Sequence, residues 1–345
     1  MIGVGIVGAG MVAGTHVRAL QDLRDIAKVE GVYSRNGDRL ARFCEEWSVP
    51  PARDIDDLLA NPAVDVLIIL TPPNARLDIV KKAAAAGKHI LLEKPVERTL
   101  AAASALVDIA RDAGVVMGVV FQHRFRDVSI KLAELVGSGT FGALGFAQVN
   151  VPWWRPQSYY DEPGRGTYER DGGGVLINQA IHTLDLLLTY TGPVAEVTAM
   201  TATTRLHRME AEDFATAGVT FGAGAVGAIV ATTASYPGSP ESIELHFERA
   251  STLLRAGTLT VSWRDGRIET FGEVSATGGG ADPMAFTHDW HAAAQRDFIE
   301  ALRDGRPPAV TGEEALKVHA LIDAMSLSSR ERRPVSVSEV QERAR

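Results

Sequence analysis

The start of the chain most constrains its fold, because an apolar strand runs directly into a glycine-rich turn. Residues 1–7 form the strand, and Gly8-Ala9-Gly10-Met11-Val12-Ala13 opens a helical pattern after it. Gly8 permits a tight turn, Gly10 lets a phosphate approach the backbone, and the small Ala13 lets the helix pack on the strand. Because N–H groups at a helix N-terminus attract anions, the turn predicts a site for the pyrophosphate of a dinucleotide. A glycine-rich turn without a ligand is the competing interpretation.

Short apolar strands alternate with helical patterns as far as residue 121. The predicted strands are 2–7, 28–34, 65–70, 89–92 and 115–120. Such alternation is typical of a parallel sheet that helices cover on both faces. Residues 1–121 are therefore predicted to form a dinucleotide-binding α/β domain.

The pattern changes after residue 121. Strand-like runs cover 143–151, 195–204, 213–221, 225–234, 243–248 and 257–262. Turns such as Gly222-Ala223-Gly224 separate neighbouring runs, and tight turns join antiparallel strands. Residues 122–345 are therefore predicted to form an α+β domain with a large, mostly antiparallel sheet and two final helices. An open face of such a sheet needs cover, which favours a homodimer or homotetramer.

Composition limits the classes of partner and ligand. The 345 residues carry a formal net charge of -8, and an acidic chain repels nucleic-acid phosphates. No basic block favours a membrane surface, and no stretch reaches the roughly 18–20 apolar residues of a membrane span. The single Cys44 cannot form an internal disulfide, and the pair His288 and His291 has no evident acidic or cysteine partner for a metal. We therefore expect a cytoplasmic protein without a metal, nucleic acid or membrane as partner.

The end of the second predicted strand bears on cofactor choice. An Asp or Glu there would bind the 2′-hydroxyl of NAD, but this chain has Ser34-Arg35-Asn36. Ser34 does not repel a 2′-phosphate, and Arg35 can pair with one. The pattern modestly favours NADP, whereas NAD stays open if Arg35 stacks on adenine or faces solvent.

A basic side chain follows another apolar strand of the same predicted sheet. Lys94 comes two residues after the strand 89–92, and the carboxyl ends of parallel strands line the ligand crevice. A cation there can hold a substrate hydroxyl and stabilise negative charge on its oxygen. The competing interpretation is a solvated turn in which Pro95 ends the strand.

Three polar residues follow the run Gly172-Gly173-Gly174. Asn178, His182 and Asp185 are spaced i, i+4 and i+7, which places them on one face of a helix. A histidine has an ordinary pKa near 6.5 and can accept a proton at neutral pH. A buried histidine that is bonded to Asp185 for structure alone is the competing interpretation.

An aromatic and basic segment precedes that glycine run and is expected to reach the site. Aromatic faces such as those of Trp154 and Tyr160 suit the C–H faces of a sugar ring. Arg155 or Arg165 could bind an acidic group of a sugar acid or nucleotide sugar. Core packing and surface charge explain these four residues equally well.

Together these residues resemble the Gfo/Idh/MocA family, which includes glucose–fructose oxidoreductase and inositol dehydrogenase. The resemblance covers almost the whole chain. It rests on the glycine turn, Thr71-Pro72-Pro73, Ala86-Gly87-Lys88-His89, Glu93-Lys94-Pro95, Gly172-Gly173-Gly174, and Asn178, His182 and Asp185. Glu93-Lys94-Pro95 is the most specific of these motifs, and its Lys-Pro peptide is often cis in the family.

The resemblance implies a Rossmann domain, a second domain with a large antiparallel sheet, and NAD(P) held between them. It also implies a sugar, cyclitol or related polyol as the substrate. Lys94 is then expected to orient the reacting hydroxyl, His182 to take its proton, Asp185 to orient His182, and Asn178 to position the substrate. The expected cofactor-binding residues are Gly8, Gly10, Met11, Val12, Ser34, Arg35, Thr71, Pro72, Asn74, Glu93, Lys94 and Gln122.

Two positions depart from the family pattern. Many relatives carry Asp where this chain has Asn178, and many carry His where it has Arg76. Asn178 has no charge with which to hold His182 protonated, which favours a neutral His182 as the base. Two other functions stay open: glycoside cleavage through transient oxidation by tightly bound NAD, and cofactor-dependent sensing without catalysis.

Overall fold

The computed structural model describes residues 1–275, 280 and 286–344 of the chain. Its strands, in chain order, are β1 (Ile2–Val7), β2 (Ala27–Tyr33), β3 (Val66–Ile69), β4 (His89–Glu93), β5 (Met117–Val120), β6 (Leu144–Pro152), β7 (Val194–Ala202), β8 (Phe214–Phe221), β9 (Val226–Thr232), β10 (Ser242–Phe247), β11 (Ala250–Arg255), β12 (Thr258–Trp263), β13 (Ile268–Gly272) and β14 (Val335–Ser336). Its α-helices are α1 (Ala13–Asp22), α2 (Gly37–Trp47), α3 (Ile55–Ala60), α4 (Leu77–Ala85), α5 (Leu100–Asp112), α6 (Asp127–Gly137), α7 (Gln157–Tyr160), α8 (Ile181–Thr191), α9 (Asp289–Asp304), α10 (Gly312–Glu331) and α11 (Val337–Arg343). Short 3₁₀ turns cover Pro73–Ala75 and Gln122–Phe125, and a π-helical turn covers Leu176–Ala180.

The chain divides into two compact units. The first comprises residues 1–97, 102–122 and 287–316, and the second comprises 98–101, 123–286 and 317–345. Residues 287–316 lie in the second domain predicted from the sequence, but they belong to the first unit, where α9 packs on α1.

The first unit contains the predicted parallel sheet, in the order β2-β1-β3-β4-β5. β3 is buried along its whole length and β4 at all but its first residue, which is why both are continuous apolar runs. Local sequence sets the helix ends. Asn36 caps α2 by accepting a hydrogen bond from the Arg39 N–H at 2.8 Å, and Gly87 takes a positive φ just after α4.

In the described part of the second unit, nine strands form one sheet in the order β13-β12-β11-β10-β6-β9-β8-β7-β14. Neighbours run antiparallel except β6 and β9, which are parallel, so the predicted mostly antiparallel sheet is confirmed. Gly222-Ala223-Gly224 forms the turn between β8 and β9. α8 packs against β6 and β10 and covers one face of the sheet. No helix in the described part of the chain combines the length and apolar character needed to cross a membrane.

Candidate active site

The glycine turn of the first unit has the geometry that the sequence predicts. Gly8 has a φ of +117°, and its N–H donates to the carbonyl of Tyr33 at 2.8 Å, which closes the turn against β2. Gly10 is exposed, and no described atom lies within 4 Å of a Cβ placed on it. The first turn of α1 carries no acidic residue. Its N–H groups therefore face a turn with room for an anion.

The predicted cofactor residues of this unit lie at one edge of the sheet. Because the five strands are parallel, their carboxyl ends meet there, and the residues that follow them share that edge. These residues are Gly8, Gly10, Met11 and Val12 after β1, Ser34 and Arg35 after β2, Thr71, Pro72 and Asn74 after β3, Glu93 and Lys94 at the end of β4, and Gln122 after β5.

Two buried oxygen atoms at this edge fit a bound cofactor. Thr71 Oγ1 and Gln122 Oε1 are shielded from solvent and have no hydrogen-bond partner among the described residues. A buried polar group without a partner costs about 1–3 kcal/mol. The hydroxyl and amide groups of a nicotinamide dinucleotide are of the kind that would satisfy both atoms, so the residues present fit the predicted cofactor.

Arg76 braces the two loops that carry Thr71 and Lys94. Its side chain is only 2% exposed, and Nε and Nη2 donate to the Thr71 carbonyl at 2.9 and 2.8 Å. Nη1 donates to the carbonyl of Glu93 at 2.5 Å and also to that of Pro95. Burial lowers the pKa of Arg76 to about 10, against the opposing effect of nearby carboxylates. The Lys94-Pro95 peptide is cis, as the resemblance implies.

Two buried histidines contact the side chain of Glu93, the residue before Lys94. Glu93 Oε1 lies 3.0 Å from His16 Nε2 and 3.7 Å from His291 Nε2. Gln295 Nε2 donates to His16 Nδ1 at 2.8 Å, so the proton of a neutral His16 ring is on Nε2 and is donated to Glu93. Burial raises the pKa of Glu93, but the hydrogen bonds from His16 and His291 outweigh it and hold the pKa well below its usual value. The acidic partner of His291, which the sequence did not reveal, is therefore Glu93.

The glycine run of the second unit is required by close backbone packing. A Cβ placed on Gly174 would lie 1.7 Å from the carbonyl oxygen of Glu212, and Gly172 has a φ of +82° against Arg98. The Glu212 carboxylate accepts hydrogen bonds from the N–H groups of Gly174 and Leu176, both at 3.1 Å. Burial raises the pKa of Glu212, although these N–H groups oppose the shift. Glu212 therefore caps the helical segment that carries the predicted catalytic residues.

The first member of the predicted helical face, Asn178, lies in the π-helical turn, whereas His182 and Asp185 lie in α8. That the three residues share one face stays a prediction. The side-chain amide of Asn178 donates to the carbonyls of Gly173 and Gly174 at 2.8 and 3.1 Å. His182 and Asp185 follow one another by one helical turn as expected.

His182 is buried in the second unit and stacks on a second histidine. The ring centroids of His182 and His123 are 4.7 Å apart, with an angle of 26° between the planes. Arg126 Nη2 lies 2.6 Å from His123 Nε2, and Arg126 Nη1 donates to Glu241 Oε1 at 2.8 Å. None of these three neighbours was predicted from the sequence. The dense basic run 122–126, directly after β5, was the available signal.

Asp185 pairs with Arg124, a partner that was not predicted from the sequence. Arg124 donates to both carboxylate oxygens of Asp185, from Nε at 2.7 Å and from Nη2 at 2.6 Å. Such a two-point pair fixes the carboxylate plane. A role for Asp185 in orienting His182 stays a prediction.

Two predicted substrate residues are largely packed into the second unit. Arg155 is buried, and its guanidinium lies over the rings of Trp153 and Tyr159. The hydroxyl of Tyr160 lies 2.6 Å from Thr233 Oγ1, and burial raises the pKa of Tyr160. These contacts favour a structural contribution from both side chains.

The other two predicted substrate residues, Trp154 and Arg165, are more accessible to solvent. Trp154 is half-buried, with its ring 5.5 Å from those of His207 and Tyr236. Arg165 is half-buried, lies 4.9 Å from the ring of Tyr159 and pairs with Glu162 at 3.3 Å. His207, which contacts the Arg155 carbonyl at 2.8 Å, holds this segment in place.

Comparisons with known proteins agree with this arrangement. Residues 2–121 match the model of the oxidoreductase family with an NAD-binding Rossmann fold, and residues 129–252 match the GFO/IDH/MocA C-terminal domain. The chain is 23% identical to the scyllo-inositol 2-dehydrogenase (NADP(+)) of Bacillus subtilis, over 97% of this chain and 95% of that protein. It is also similar to the WlbA dehydrogenase of Bordetella pertussis in complex with NADH and UDP-GlcNAcA, with 30% identity, a TM-score of 0.82, and coverage of 97% and 98% of the two chains. A levoglucosan dehydrogenase in complex with NADH and levoglucosan shares the fold, with 21% identity, a TM-score of 0.86, and coverage of 97% and 98%. The chain belongs to the Gfo/Idh/MocA family of oxidoreductases.

Proposed function

We propose that this protein is an NAD(P)-dependent oxidoreductase that transfers hydride to or from a secondary alcohol or ketone of a sugar or cyclitol. One observation carries the proposal. The carboxyl edge of the parallel sheet brings together an open glycine turn, Lys94, and the two buried oxygens of Thr71 and Gln122 that lack partners. The related dehydrogenases act on inositols and sugars, which supports this substrate class.

Each of these residues has a distinct role in the proposed oxidation of an alcohol. NAD(P), held by the glycine turn and by the residues at the carboxyl edge of the sheet, would supply the hydride acceptor. Lys94 hydrogen-bonds the reacting oxygen and stabilises the negative charge that develops on it. His182 takes the hydroxyl proton on an imidazole nitrogen, Asp185 orients that ring, and Asn178 positions the substrate. In the reduction direction His182 returns the proton.

Replacement of His182 tests this assignment. Positioned proton transfer contributes about 10²- to 10⁴-fold, so His182→Ala should lower kcat by that factor. The cofactor Kd should change by less than about twofold, because the glycine turn and Arg76 belong to the first unit. His288→Ala, at the start of α9, is the matched control. Unchanged turnover in His182→Ala would remove His182 from the mechanism.

The cofactor proposed is NADP, on the strength of Ser34 and Arg35 after β2. Fluorescence titration with NADPH and NADH should show tighter binding of NADPH. Ser34→Asp should reverse the order, because its carboxylate repels the 2′-phosphate and accepts a hydrogen bond from the 2′-hydroxyl. Tighter NADH binding by the unaltered protein would refute the phosphate site and leave the dehydrogenase proposal intact.

A nucleotide-activated sugar acid is a second candidate substrate. It is favoured by the 30% identity to two WlbA dehydrogenases solved with UDP-GlcNAcA, and by the half-buried Arg165. Turnover should be measured in parallel with neutral cyclitols and with UDP-linked uronic acids. If only the acids react, Arg165→Met should raise their KM while leaving the cofactor Kd unchanged.

The protein is proposed to work in the cytoplasm.

A further inference from the structure

We infer that His123 is a positioning residue for His182, and that Arg126 keeps His123 in one neutral tautomer. The inference rests on the proposed function only for the catalytic role of His182. The four residues concerned lie in the second unit: His123, Arg126, His182 and Glu241.

The hydrogen bond from Arg126 fixes where the proton of His123 is. A guanidinium has only donors, so at 2.6 Å the Nε2 atom of His123 has to accept from Arg126 Nη2. Protonation of Nε2 would remove this bond and place two cations in contact. The ring is therefore neutral, and its proton is on Nδ1.

Arg126 cannot easily turn away from this position. Its Nη1 donates to Glu241 Oε1 at 2.8 Å, and Glu241 Oε2 accepts from Trp153 Nε1 at 3.3 Å. The side chains of Arg126 and Glu241 are 8% and 6% exposed. Release of either charge from this buried pair would leave the other buried and uncompensated, so the donor stays on His123.

Stacking on His123 restricts the orientation of the His182 ring. With the two rings 4.7 Å apart and 26° from parallel, His123 sets the plane in which the His182 imidazole can lie. A neutral aromatic face attracts a cation, whereas a second imidazolium would repel it. His182 can thus become protonated without electrostatic competition from the ring beside it.

The charged groups around the ring pair are themselves neutralised in pairs. Arg124, before α6, pairs with Asp185 of α8, and Arg126 pairs with Glu241, the residue before β10. Tyr190 of α8 donates its hydroxyl to the Ser129 carbonyl at 3.2 Å, and burial raises its pKa. Within this group, His182 is then the ring that changes charge during turnover.

Histidine NMR and two matched variants test the inference. In the full-length protein with ¹⁵N-labelled histidine, one of the nine histidines should show the Nδ1–H tautomer throughout pH 5–9. That signal should disappear in His123→Phe. His123→Phe, which keeps a flat ring, should retain kcat within about threefold, whereas His123→Leu should lose about tenfold or more at an unchanged cofactor Kd.

Each result has a defined meaning. A His123 ring that titrates or carries its proton on Nε2 would overturn the tautomer assignment, and equal kcat values for the Phe and Leu variants would overturn the positioning role. The NMR measurement needs no substrate. If the expected tautomer is found in a protein that binds cofactor but turns over no sugar or cyclitol, the proposed function fails while the tautomer assignment is supported.

Discussion

A single buried guanidinium, that of Arg76, joins the backbone of the loop after β3 to the loop after β4. Arg76→Met would leave several buried carbonyls without donors and would remove one positive charge near Glu93. We expect the free energy of unfolding to fall by about 3 kcal/mol in urea titrations, because each unsatisfied buried group costs about 1–3 kcal/mol. Arg42→Met, on the exposed side of α2, should change it by less than about 0.5 kcal/mol. Equal unfolding midpoints for the two variants would contradict the bracing role.

Glu93 should make the stability of the protein sensitive to acid. Its pKa is lowered in the folded state, so the folded protein binds a proton there less readily than the unfolded chain does. Glu93 therefore adds stability above its ordinary value of 4.5, and this contribution is lost as the pH falls through 4.5 towards the lowered pKa. Unfolding measured at pH 7, 5 and 4 should show Glu93→Gln to be less stable at pH 7 but less dependent on pH below 5. A pH slope equal to that of Glu46→Gln, an exposed control on α2, would contradict this.

At the scale of secondary structure, the glycine run before α8 allows the backbone of Glu212 to pack directly against Gly174. Gly174→Ala would place a methyl group 1.7 Å from the Glu212 carbonyl oxygen, and backbone cannot yield as a flexible side chain does. We expect the free energy of unfolding to fall by about 3 kcal/mol. In the same unit, Gly137→Ala at the end of α6 meets no described atom within 4 Å and should be neutral or stabilising by up to about 0.5 kcal/mol. Similar thermal midpoints for both variants would contradict the close-packing explanation.

Elements were predictable where burial left a strong pattern in the sequence. β3 and β4 are continuous apolar runs because both of their faces are buried, and prolines such as Pro72 and Pro95, with Gly87, mark the turns around them. β11 and β13 were missed, because β11 follows β10 after only Glu248-Arg249, without glycine or proline, and β13 is a half-exposed edge strand. The π-helical turn escaped prediction because spacing arguments assume 3.6 residues per turn.

Those residues of the candidate site that belong to local sequence motifs could be predicted. Local sequence patterns predict the glycine turn, Lys94 and His182. Their surroundings cannot be predicted in this way, because only the fold brings Glu93 close to His291 and Gly174 close to Glu212. The tautomer of His123 depends on one guanidinium contact, which no spacing rule contains.

At the scale of the whole molecule, the second sheet presents one face without cover from the described part of its own unit. Met200, Thr216, Val230 and Asn150 lie opposite one another on β7, β8, β9 and β6, so their side chains share this face. Met200 is 54% exposed and Val230 is 36% exposed. An exposed sheet face that mixes polar and apolar side chains favours contact with a second copy of the chain over contact with water alone.

We therefore expect the purified protein to be a homodimer or homotetramer that assembles through this sheet face. Val230→Arg would place a charge at the centre of the face, where burying it without a partner costs far more than the contact gains. Light scattering coupled to size exclusion should show a smaller assembly for Val230→Arg than for the unaltered protein. Ile130→Arg, on the exposed side of α6 at 44% exposure, should leave the mass unchanged. A monomeric unaltered protein would refute the assembly itself, whereas an oligomer that Val230→Arg leaves intact would place the interface elsewhere on the surface.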